Sequence, residues 1–410
     1  MLTLFSSPWT IVLPCLYLII FPYFNTLNKT RLNQRVNVPV SIKEVTSPNE
    51  LKKFIKFPFS LYKGNPYWVP PMLLDEYKVL NKDKNPAYEF CDVKLWLAFK
   101  DGKIVGRIAG IINHRYIDAW KNNYARFCYF DFIDDTSVSK ALLDSAGSWA
   151  KENHMDKIHG PLGFTDFDPE GLLVEGFEEL STFGAIYNFP YYVNHIENYG
   201  YKKDVDWVEF LVKPPEQLLE KVDRIANIVA ERYDLKILNV KKAKDLLPYG
   251  KEIFHLINHA YKDLFGFVQL TEKQIDMYIK AYFAFIKPGF VPVIMNNRNK
   301  VVAFGITMPS LSKALQKNKG RLFPFGFIAI LKAMKNNPMA DLYLVAVDPD
   351  MQDKGINAIL INEMNKIFIK NKITVVETNR ELETNLKVQA QWKGMDARQH
   401  KRRRCYIKSL

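Results

Sequence analysis

The chain has 410 residues, 48% of them hydrophobic and 25% charged, with a net charge of +13 at pH 7. This length and composition exclude a disordered or fibrous protein and indicate two or three globular domains with a substantial core. The four cysteines (Cys15, Cys91, Cys128 and Cys405) are too far apart for zinc-ligand spacing. We therefore expect no metal site, and we expect reduced thiols in a cytoplasmic protein.

The N-terminal segment, residues 1–37, begins with 28 residues that carry no charged side chain. Residues 5–24 are almost wholly apolar, over a length that would span a bilayer, and lack the basic start and cleavage site of a signal peptide. The basic residues that follow (Lys29, Arg31, Arg35) would keep the remaining chain on the cytoplasmic side. Two interpretations stay open: a membrane anchor, or an extension foreign to the natural protein, whose folded part then starts near Val38.

The first half, up to residue 160, shows the succession strand, helix, hairpin, strand, helix, strand. Ser47-Pro48-Asn49-Glu50 combines a helix N-cap, a proline at the first helical position and the glutamate of a capping box. The hydrophobic periodicity predicts strands over 41–45, 93–99, 103–113, 127–133 and 157–159, and helices over 48–61 and 138–153.

A loop rich in glycine, carboxylates and aromatic residues follows, over residues 160–177. Long ordered loops in compact domains are often binding loops. One hypothesis is that it closes an acceptor pocket, in which Asp166, Asp168 or Glu175 holds an amine or acts as a base. The alternative is a packed loop with solvated carboxylates. His159, just before the loop, is a further candidate base.

The second half repeats this order of elements. It predicts strands over 235–240, 290–295, 300–307, 342–347, 374–377 and 403–408, and helices over 243–262, 272–286, 356–369 and 384–392. The predicted fold class is therefore α+β, with two similar domains in tandem, over 38–215 and 216–410.

The turn between the strand over 342–347 and the helix over 356–369 is a candidate phosphate site. Gly355 precedes the helix, where unpaired N–H groups and the helix dipole favour phosphate oxygens. The spacing Gln352-x-x-Gly355-x-Asn357 resembles the pyrophosphate-binding motif Gln/Arg-x-x-Gly-x-Gly/Ala of the GNAT (Gcn5-related N-acetyltransferase) superfamily. Asn357 departs from that motif, because the family has a smaller residue there. Without the motif, a generic turn with a flexible glycine would explain the same pattern.

The resemblance implies two tandem GNAT-like domains, of which the second binds acetyl-CoA or another acyl-CoA. It implies that the pyrophosphate is held by the residues Gln352, Lys354, Gly355, Ile356 and Asn357. In the family, backbone N–H groups of the fourth strand polarise the thioester carbonyl, which points here to Ala346 and Val347. An asparagine at a helix start contacts the pantetheine arm, which points to Asn385, although a simple helix cap explains this residue equally well.

The first half departs from the motif, because Asp134 and Asp135 stand where a glycine loop would be. The simplest interpretation of these carboxylates is as favourable charges or a cap at a helix N-terminus. They would also repel pyrophosphate, so we expect no CoA in this half and an acceptor-shaping role instead. The stretch 160–164 (Gly-Pro-Leu-Gly-Phe) resembles one in a bacterial GNAT-like family. On the last strand, Tyr406 is a candidate acid for the leaving thiolate, with a packed core aromatic as the alternative.

The last 25 residues hold eight Lys/Arg and one acid, including the basic run 400–404. Three interpretations remain for this run. It could hold the 3′-phosphate of CoA or an anionic acceptor, it could contact nucleic acid or lipid headgroups, or it could be a solvated turn before the last strand.

Three functions are consistent with these patterns. The first is an N-acyltransferase that moves an acetyl or other acyl group from acyl-CoA to an amine acceptor by direct attack. The second is an aminoacyl-tRNA- or lipid-directed acyltransferase at the membrane. The third is a GNAT-fold binding protein without catalytic activity. The sequence identifies neither the acceptor nor the length of the acyl chain.

Overall fold

The computed structural model describes residues 38–282 and 286–410, and residues 40–410 form one compact unit. The strands in chain order are β1 (Ser41–Glu44), β2 (Cys91–Lys100), β3 (Lys103–Asn113), β4 (Tyr124–Phe132), β5 (Lys157–Gly160), β6 (Leu172–Glu175), β7 (Lys202–Lys213), β8 (Lys236–Ile237), β9 (Val293–Met295), β10 (Val301–Pro309), β11 (Met339–Val347), β12 (Val375–Thr378), β13 (Glu381–Leu382) and β14 (Asp396–Ser409). The helices are α1 (Pro48–Leu61), α2 (Leu73–Val79), α3 (His114–Trp120), α4 (Thr136–Glu152), α5 (Tyr191–Asn198), α6 (Glu220–Arg232), α7 (Gly250–Ala260), α8 (Glu272–Tyr282), α9 (Ser312–Asn318), α10 (Gly326–Lys335), α11 (Ile356–Lys370) and α12 (Leu386–Gln389).

The strands of the described residues form one sheet with the order β1-β2-β3-β4-β5-β14-β7-β12-β11-β10-β9-β8, while β6 adds to β14 and β13 adds to β7. The two halves mirror each other within it. In each half, neighbouring strands are antiparallel except for one parallel pair, β4 with β5 and β11 with β12. The repeated strand order predicted from the sequence is therefore present in both halves.

The last strands of the two halves are exchanged. β7 completes the chain of the first half, yet Leu211 and Val212 pair with β12 of the second half. β14 ends the second half, yet its residues 406–409 pair with β5 of the first. β7 and β14 then pair with each other along most of their length. The sheet is consequently continuous from one half to the other.

Both faces of the second half are covered by helices. α7 and α8 pack on one face of the sheet, against residues such as Val293 and Phe304. α6 and α11 pack on the other face, against Ile294, Ala303 and neighbouring residues. Because successive strand residues point to opposite faces, this burial on both sides explains why the strands are apolar runs and do not alternate.

Several predicted elements are confirmed close to their expected bounds. α1 begins at Pro48, and Ser47 and Glu50 form the capping box, with the Ser47 hydroxyl accepting the Glu50 N–H at 3.3 Å. The first hairpin, α4 and α11 are also present within a few residues of the predicted ranges.

Other elements differ from the prediction. The predicted helix over 243–262 is confined to 250–260, because Pro248 lies inside it and the chain forms two 3-10 turns before α7. The strand predicted over 235–240 has only two residues. The elements β7, α6, α9 and α10 were not predicted. No helix in the described ranges is long and apolar enough to cross a membrane, and the predicted anchor over residues 5–24 lies outside those ranges.

Candidate functional site

The first feature of the site is a gap between β11 and β12. These strands are paired only from Met339 to Leu342 on β11, with Leu342 opposite Thr378. At that point β11 has a bulge, because the register with β10 shifts between Ile306 and Thr307, opposite Tyr343. Bulges bend a strand and interrupt its ladder, so they reorient backbone groups. Past Leu342 the two strands therefore separate and leave a stretch of β11 next to a gap.

Side chains reach the backbone of β11 in this gap. Asn379 donates its side-chain N–H to the Tyr343 carbonyl at 2.9 Å. The Tyr261 hydroxyl donates to the Val345 carbonyl, also at 2.9 Å. Residues 343–345 are partly exposed, in contrast with the buried Leu342 and Ala346 on either side. A short backbone segment is thus presented to the gap.

The predicted carbonyl-polarising residues lie further along the strand. Ala346 pairs with Phe304 and Val347 with Ala303 in the ladder with β10, and both are buried. The bulge at Tyr343 lies three residues earlier and was missed, because a bulge depends on the register with β10, which sequence periodicity does not report.

The second feature is the turn that leads from β11 into α11. Its backbone makes a 3-10 turn over Pro349–Met351, and then Asp353 and Gly355 adopt positive φ angles of 59° and 82°. Such angles are unusual for residues other than glycine and form tight turns that aim successive N–H groups one way. Gly355 directly precedes the 15-residue helix α11, so the turn has the geometry expected of an anion site.

The side chains of the turn separate into two kinds. Ile356 is buried in the core and fixes the start of α11, whereas Gln352, Lys354 and Asn357 are exposed. The Lys354 ammonium donates to the Asp350 carbonyl at 2.6 Å. Asn385 begins α12 and accepts the Val388 N–H at 3.3 Å through its side chain. It is therefore a helix cap in this structure.

The third feature is a cavity of about 100 Å³ in the first half. It lies where β4 and β5 diverge, because their pairing ends at Arg126 and His159. Six aromatic side chains contribute to its walls, and the lining includes Tyr62, Trp68, Val69, Pro71, Glu76, Arg107, Cys128, Tyr129, Phe130, Asp131, Pro161, Gly163, Phe164, Asp168, Ala185, Ile186 and Tyr187. The cavity is thus the first-half counterpart of the gap beside β11.

The cavity also carries charge. Arg107 lies 2.7 Å from the Asp131 carboxylate, which also accepts the Tyr62 hydroxyl at 2.8 Å. Burial raises the pKa of Glu76 to about 7. Burial also raises the pKa of Asp168 to about 6, even though the Thr165 N–H stabilises its ionised form. Glu76 and Asp168 can therefore each gain or lose a proton near neutral pH.

The loop over 160–177 joins the cavity to the second half. Phe167 stacks on Tyr278 of α8 with ring centroids 5.0 Å apart. Glu170 lies 3.6 Å from the guanidinium of Arg380, which follows β12. Arg380 also reaches the Asp168 carbonyl, at 3.5 Å. The loop is therefore ordered by packing, a property that both interpretations of it share, and it spans from one diverging strand pair to the other.

The remaining carboxylates of the loop point elsewhere. Asp166 accepts the Val268 N–H at 3.4 Å and is not among the cavity-lining residues. Glu175 is exposed and pairs with Arg402 at 3.2 Å. Of the three acidic candidates in the loop, Asp168 alone lines the cavity.

His159 and Tyr406 are placed in the interior of the first half. His159 is fully buried, its Nδ1 lies 3.3 Å from the Asp204 carboxylate, and burial lowers its pKa, which keeps the ring neutral. The atoms of His159, Asp204 and Cys405 that could ligate a metal ion lie within 4.8 Å of one another. The Tyr406 hydroxyl donates to Glu197 at 2.9 Å. Neither candidate lines the cavity.

The basic run 400–404 lies inside β14 and is not a solvated turn. Lys401 and Arg403 are buried and bond to the buried carboxylates Glu377 and Glu209 respectively. Burial alone would raise the pKa of Glu377, but the Lys401 charge and His400 lower it to about 2. On the other face, Arg402 and Arg404 both contact Asp206. The run therefore neutralises internal carboxylates. Of the three interpretations of the run, the solvated turn is wrong, because the acids that pair with it could not be placed from sequence.

One further titratable group adjoins the gap and was not singled out from sequence. Asp341 on β11 is buried opposite Glu377, and its carboxylate accepts the Tyr343 hydroxyl at 3.1 Å. Burial, together with the charge of Glu377, raises the pKa of Asp341 to about 7. The sequence signal that could have identified Asp341 was an acidic residue beside a strand of otherwise apolar residues.

Comparison with known proteins gives three findings. No family model matches the chain. Protein YghO of Escherichia coli (strain K12) is 28% identical over 376 residues, which cover 90% of this chain and 95% of that protein. The bacterial ceramide synthase of Caulobacter vibrioides (strain NA1000 / CB15N) is 27% identical over 314 residues, which cover 73% of this chain and 77% of that protein.

Among solved structures, a tandem GNAT protein from the clavulanic acid biosynthesis pathway superposes with a TM-score of 0.52 at 10% sequence identity. The match covers 90% of this chain and 98% of that protein. At this identity the likeness concerns the fold, and it agrees with the repeated strand order and the two diverging strand pairs described above. The chain therefore has the fold of the GNAT superfamily, with two GNAT-like halves in tandem.

Proposed function

We propose that the protein is an N-acyltransferase that moves an acyl group from an acyl-CoA thioester to an amine. The observation that carries the proposal is the gap beside β11, which combines a bulge at Tyr343 with a positive-φ turn at Gly355 leading into α11. A thioester in the gap and a pyrophosphate at the helix start would use these two features together.

In the proposed reaction, a neutral amine attacks the thioester carbonyl, a C–N bond forms and the C–S bond breaks with release of the CoA thiolate. Backbone N–H groups near the bulge would stabilise the oxyanion. The Asp168 carboxylate, with its pKa raised to about 6, would accept the proton that the amine loses. Tyr343 replaces Tyr406 as the candidate donor to the thiolate. Since burial and Asp341 raise the pKa of Tyr343, it would regain the proton from the Asp341 carboxyl 3.1 Å away, whose pKa is raised to about 7.

The acceptor is proposed to be a long-chain amine. The name of the Caulobacter relative supports this, because a ceramide is an amide of a fatty acid with a long-chain amino alcohol. The cavity of about 100 Å³ would accommodate the amine end of such an acceptor beside the Asp168 carboxyl, and the chain would extend beyond it. The proposal extends the domain assignment: residues 216–410 would hold the acyl-CoA and residues 38–215 the acceptor.

Two other candidate functions have weaker support. A binding protein without catalysis is favoured by Asn357 in the pyrophosphate turn and by the Tyr261 hydroxyl on the Val345 carbonyl, where a pantetheine amide could bind. An aminoacyl-tRNA-directed enzyme would use a free basic surface. The basic run 400–404 does not supply it, because those charges are paired with carboxylates.

Calorimetric titration with CoA, acetyl-CoA and palmitoyl-CoA tests the proposal. We expect saturable binding of the acyl-CoAs and, in a turnover assay, acylation of a long-chain amino alcohol in preference to a short alkylamine. Saturable binding without turnover of either amine would favour the binding protein. Absence of binding by all three ligands would contradict the acyltransferase.

A further inference from the structure

A patch of exposed large hydrophobic side chains surrounds the start of α10. We call it the α10 patch, and it consists of Phe323, Phe325, Phe327, Ile328 and Leu331. Phe323 is 71% exposed, Phe325 74% and Leu331 59%. Exposed apolar residues that stand singly are ordinary on protein surfaces, but five within nine consecutive residues form a contiguous surface that usually binds something.

The opposite side of α10 already has its packing partners. Ile330, Ala333 and Met334 face inward and pack with Leu315 of α9 and with Val69 of the first half. The outer face of α10 exposes Phe327, Ile328 and Leu331 along its first turns, and Lys332 and Lys335 at its end. A surface helix normally has a polar outer face, so the large apolar side chains on the outer face of α10 indicate a second contact.

The charge around the patch is strongly one-sided. Residues 277–340 contain ten Lys/Arg and no Asp or Glu. Six of these basic residues are exposed on or beside α9 and α10: Lys313, Lys317, Lys319, Arg321, Lys332 and Lys335. A second copy of the chain would bring the same positive charge against itself. An anionic lipid surface would bind both the apolar side chains of the patch and the positive charge around it. Aromatic side chains insert at the headgroup boundary, while lysines pair with lipid phosphates.

We propose that the α10 patch docks the protein on an anionic lipid bilayer, with α10 lying in the plane of the interface. This site is distinct from residues 5–24 and from the basic run of β14. It requires no membrane-spanning element, since an interfacial helix inserts only its apolar face.

The α9–α10 unit contacts the segments that line the cavity. The Gln316 side chain donates to the Trp68 carbonyl at 2.9 Å, and the Phe183 N–H donates to the Ser312 hydroxyl at 3.1 Å. Trp68 and the segment 184–187 belong to the cavity wall. Docking would thus place that wall near the bilayer, from which a long-chain amine could enter. This last consequence rests on the proposed function, whereas the docking itself does not.

Sedimentation with vesicles tests the docking on the full chain. The probes are vesicles of phosphatidylcholine alone and vesicles in which part of it is replaced by phosphatidylglycerol. We expect binding to the anionic vesicles that falls as salt rises. The variant Phe325→Ser/Leu331→Ser and the variant Lys332→Gln/Lys335→Gln should each lower the partition coefficient by roughly tenfold or more.

Matched controls come from exposed residues elsewhere. Leu219 and Leu247 are 53% and 51% exposed, so Leu219→Ser/Leu247→Ser should leave vesicle binding unchanged. Lys82 and Lys84 are also exposed, so the variant Lys82→Gln/Lys84→Gln removes two positive charges away from the patch and should leave vesicle binding unchanged. All substituted side chains are on the surface, so thermal unfolding should resemble that of the wild type.

Two results would overturn the proposal. Undiminished vesicle binding by both patch variants would show that another segment, such as residues 5–24, binds the lipid. A concentration-dependent dimer that the Phe325→Ser/Leu331→Ser variant abolishes, without any lipid binding by the wild type, would show that a second copy covers the patch. Neither readout depends on acyltransferase activity, so failure of the docking and failure of the proposed function remain distinguishable.

Discussion

At the scale of single residues, the buried acids fall into two groups: those whose pKa is lowered by a neighbouring cation, and those whose pKa is raised by burial. Glu377 and Glu209 lie against Lys401 and Arg403, and their pKa values are lowered despite burial. Among the described residues, no cationic side chain lies at hydrogen-bonding distance from the Asp168 carboxylate, which accepts from backbone N–H groups, and burial raises its pKa. Groups of the second kind are common at functional sites, because their proton is exchangeable near neutral pH.

The variant Asp168→Asn separates stability from activity. The Asp168 pKa is raised from 3.8 to about 6 in the folded chain, so the folded state loses stability as pH rises between those values. Since the carboxylate is partly exposed, we expect the variant to be more stable than the wild type by about 1–2 kcal/mol above pH 6, with no difference below pH 4. Urea unfolding at both pH values measures this.

Turnover by the Asp168→Asn variant should fall by roughly 100-fold if Asp168 is the base.

The exposed Asp83 provides the control, because Asp83→Asn should change neither quantity. Equal stability of wild type and Asp168→Asn at all pH values would contradict the raised pKa. Increased stability with full turnover would show instead that Asp168 has a structural role and is not the base.

At the scale of elements, the sequence located the starts of α1, α4 and α11 and the two hairpins, but not the pairing of strands that are distant in the chain. Ser47 with Glu50 and Gly355 before α11 were recognisable, because caps and turns depend on neighbours a few residues away. α10 was missed because exposed apolar residues (Phe327, Ile328, Leu331) lie beside the buried ones and widen the apolar stripe by which an amphipathic helix is recognised. The bulge at Tyr343 and the cavity beside Asp168 depend on contacts between distant strands, which local patterns do not encode.

The start of α11 gives a prediction at this scale. Asn357 is exposed at the second helical position, where the GNAT motif has Gly or Ala. We expect Asn357→Ala to raise the affinity for CoA several-fold by removing a side chain beside the pyrophosphate. Helix propensity should add a few tenths of a kcal/mol of stability. Calorimetry and thermal unfolding measure the two effects.

α1 provides a matched control for this variant, since Asn49 is also exposed at a second helical position. Asn49→Ala should change stability by a similar amount and leave CoA affinity unchanged. An unchanged or weaker affinity of Asn357→Ala would indicate that the asparagine contacts the cofactor favourably or that the pyrophosphate binds elsewhere.

At the scale of the whole molecule, the exchange of β7 and β14 determines how the halves depend on each other. The sequence predicted two successive domains over 38–215 and 216–410, and the repeated order of elements supports two units of similar fold. The sheet nevertheless runs through both, because β14 lies between β5 and β7. Periodicity reveals that a strand exists, but it does not reveal which half supplies its neighbour.

The exchange predicts that neither half folds alone. Fragment 38–215 would lack the strand that covers β5, and fragment 216–410 would lack the strand that covers β12, so each would expose an unpaired sheet edge. We expect the separate fragments to aggregate or to unfold without cooperativity, and to form a soluble complex when they are produced together. Circular dichroism and size-exclusion chromatography measure this. Cooperative unfolding of either fragment by itself would contradict the interdependence.

The position of β14 also has a consequence for synthesis. A ribosome makes the chain from its N-terminus, and most of the strands of the first half are complete long before residues 396–409 leave the exit tunnel. During that interval β5 has no neighbour on one side, and chaperones are the natural protection for such an edge. A premature stop codon at position 396 would remove β14 and leave β5, in the half that is made first, without its neighbouring strand.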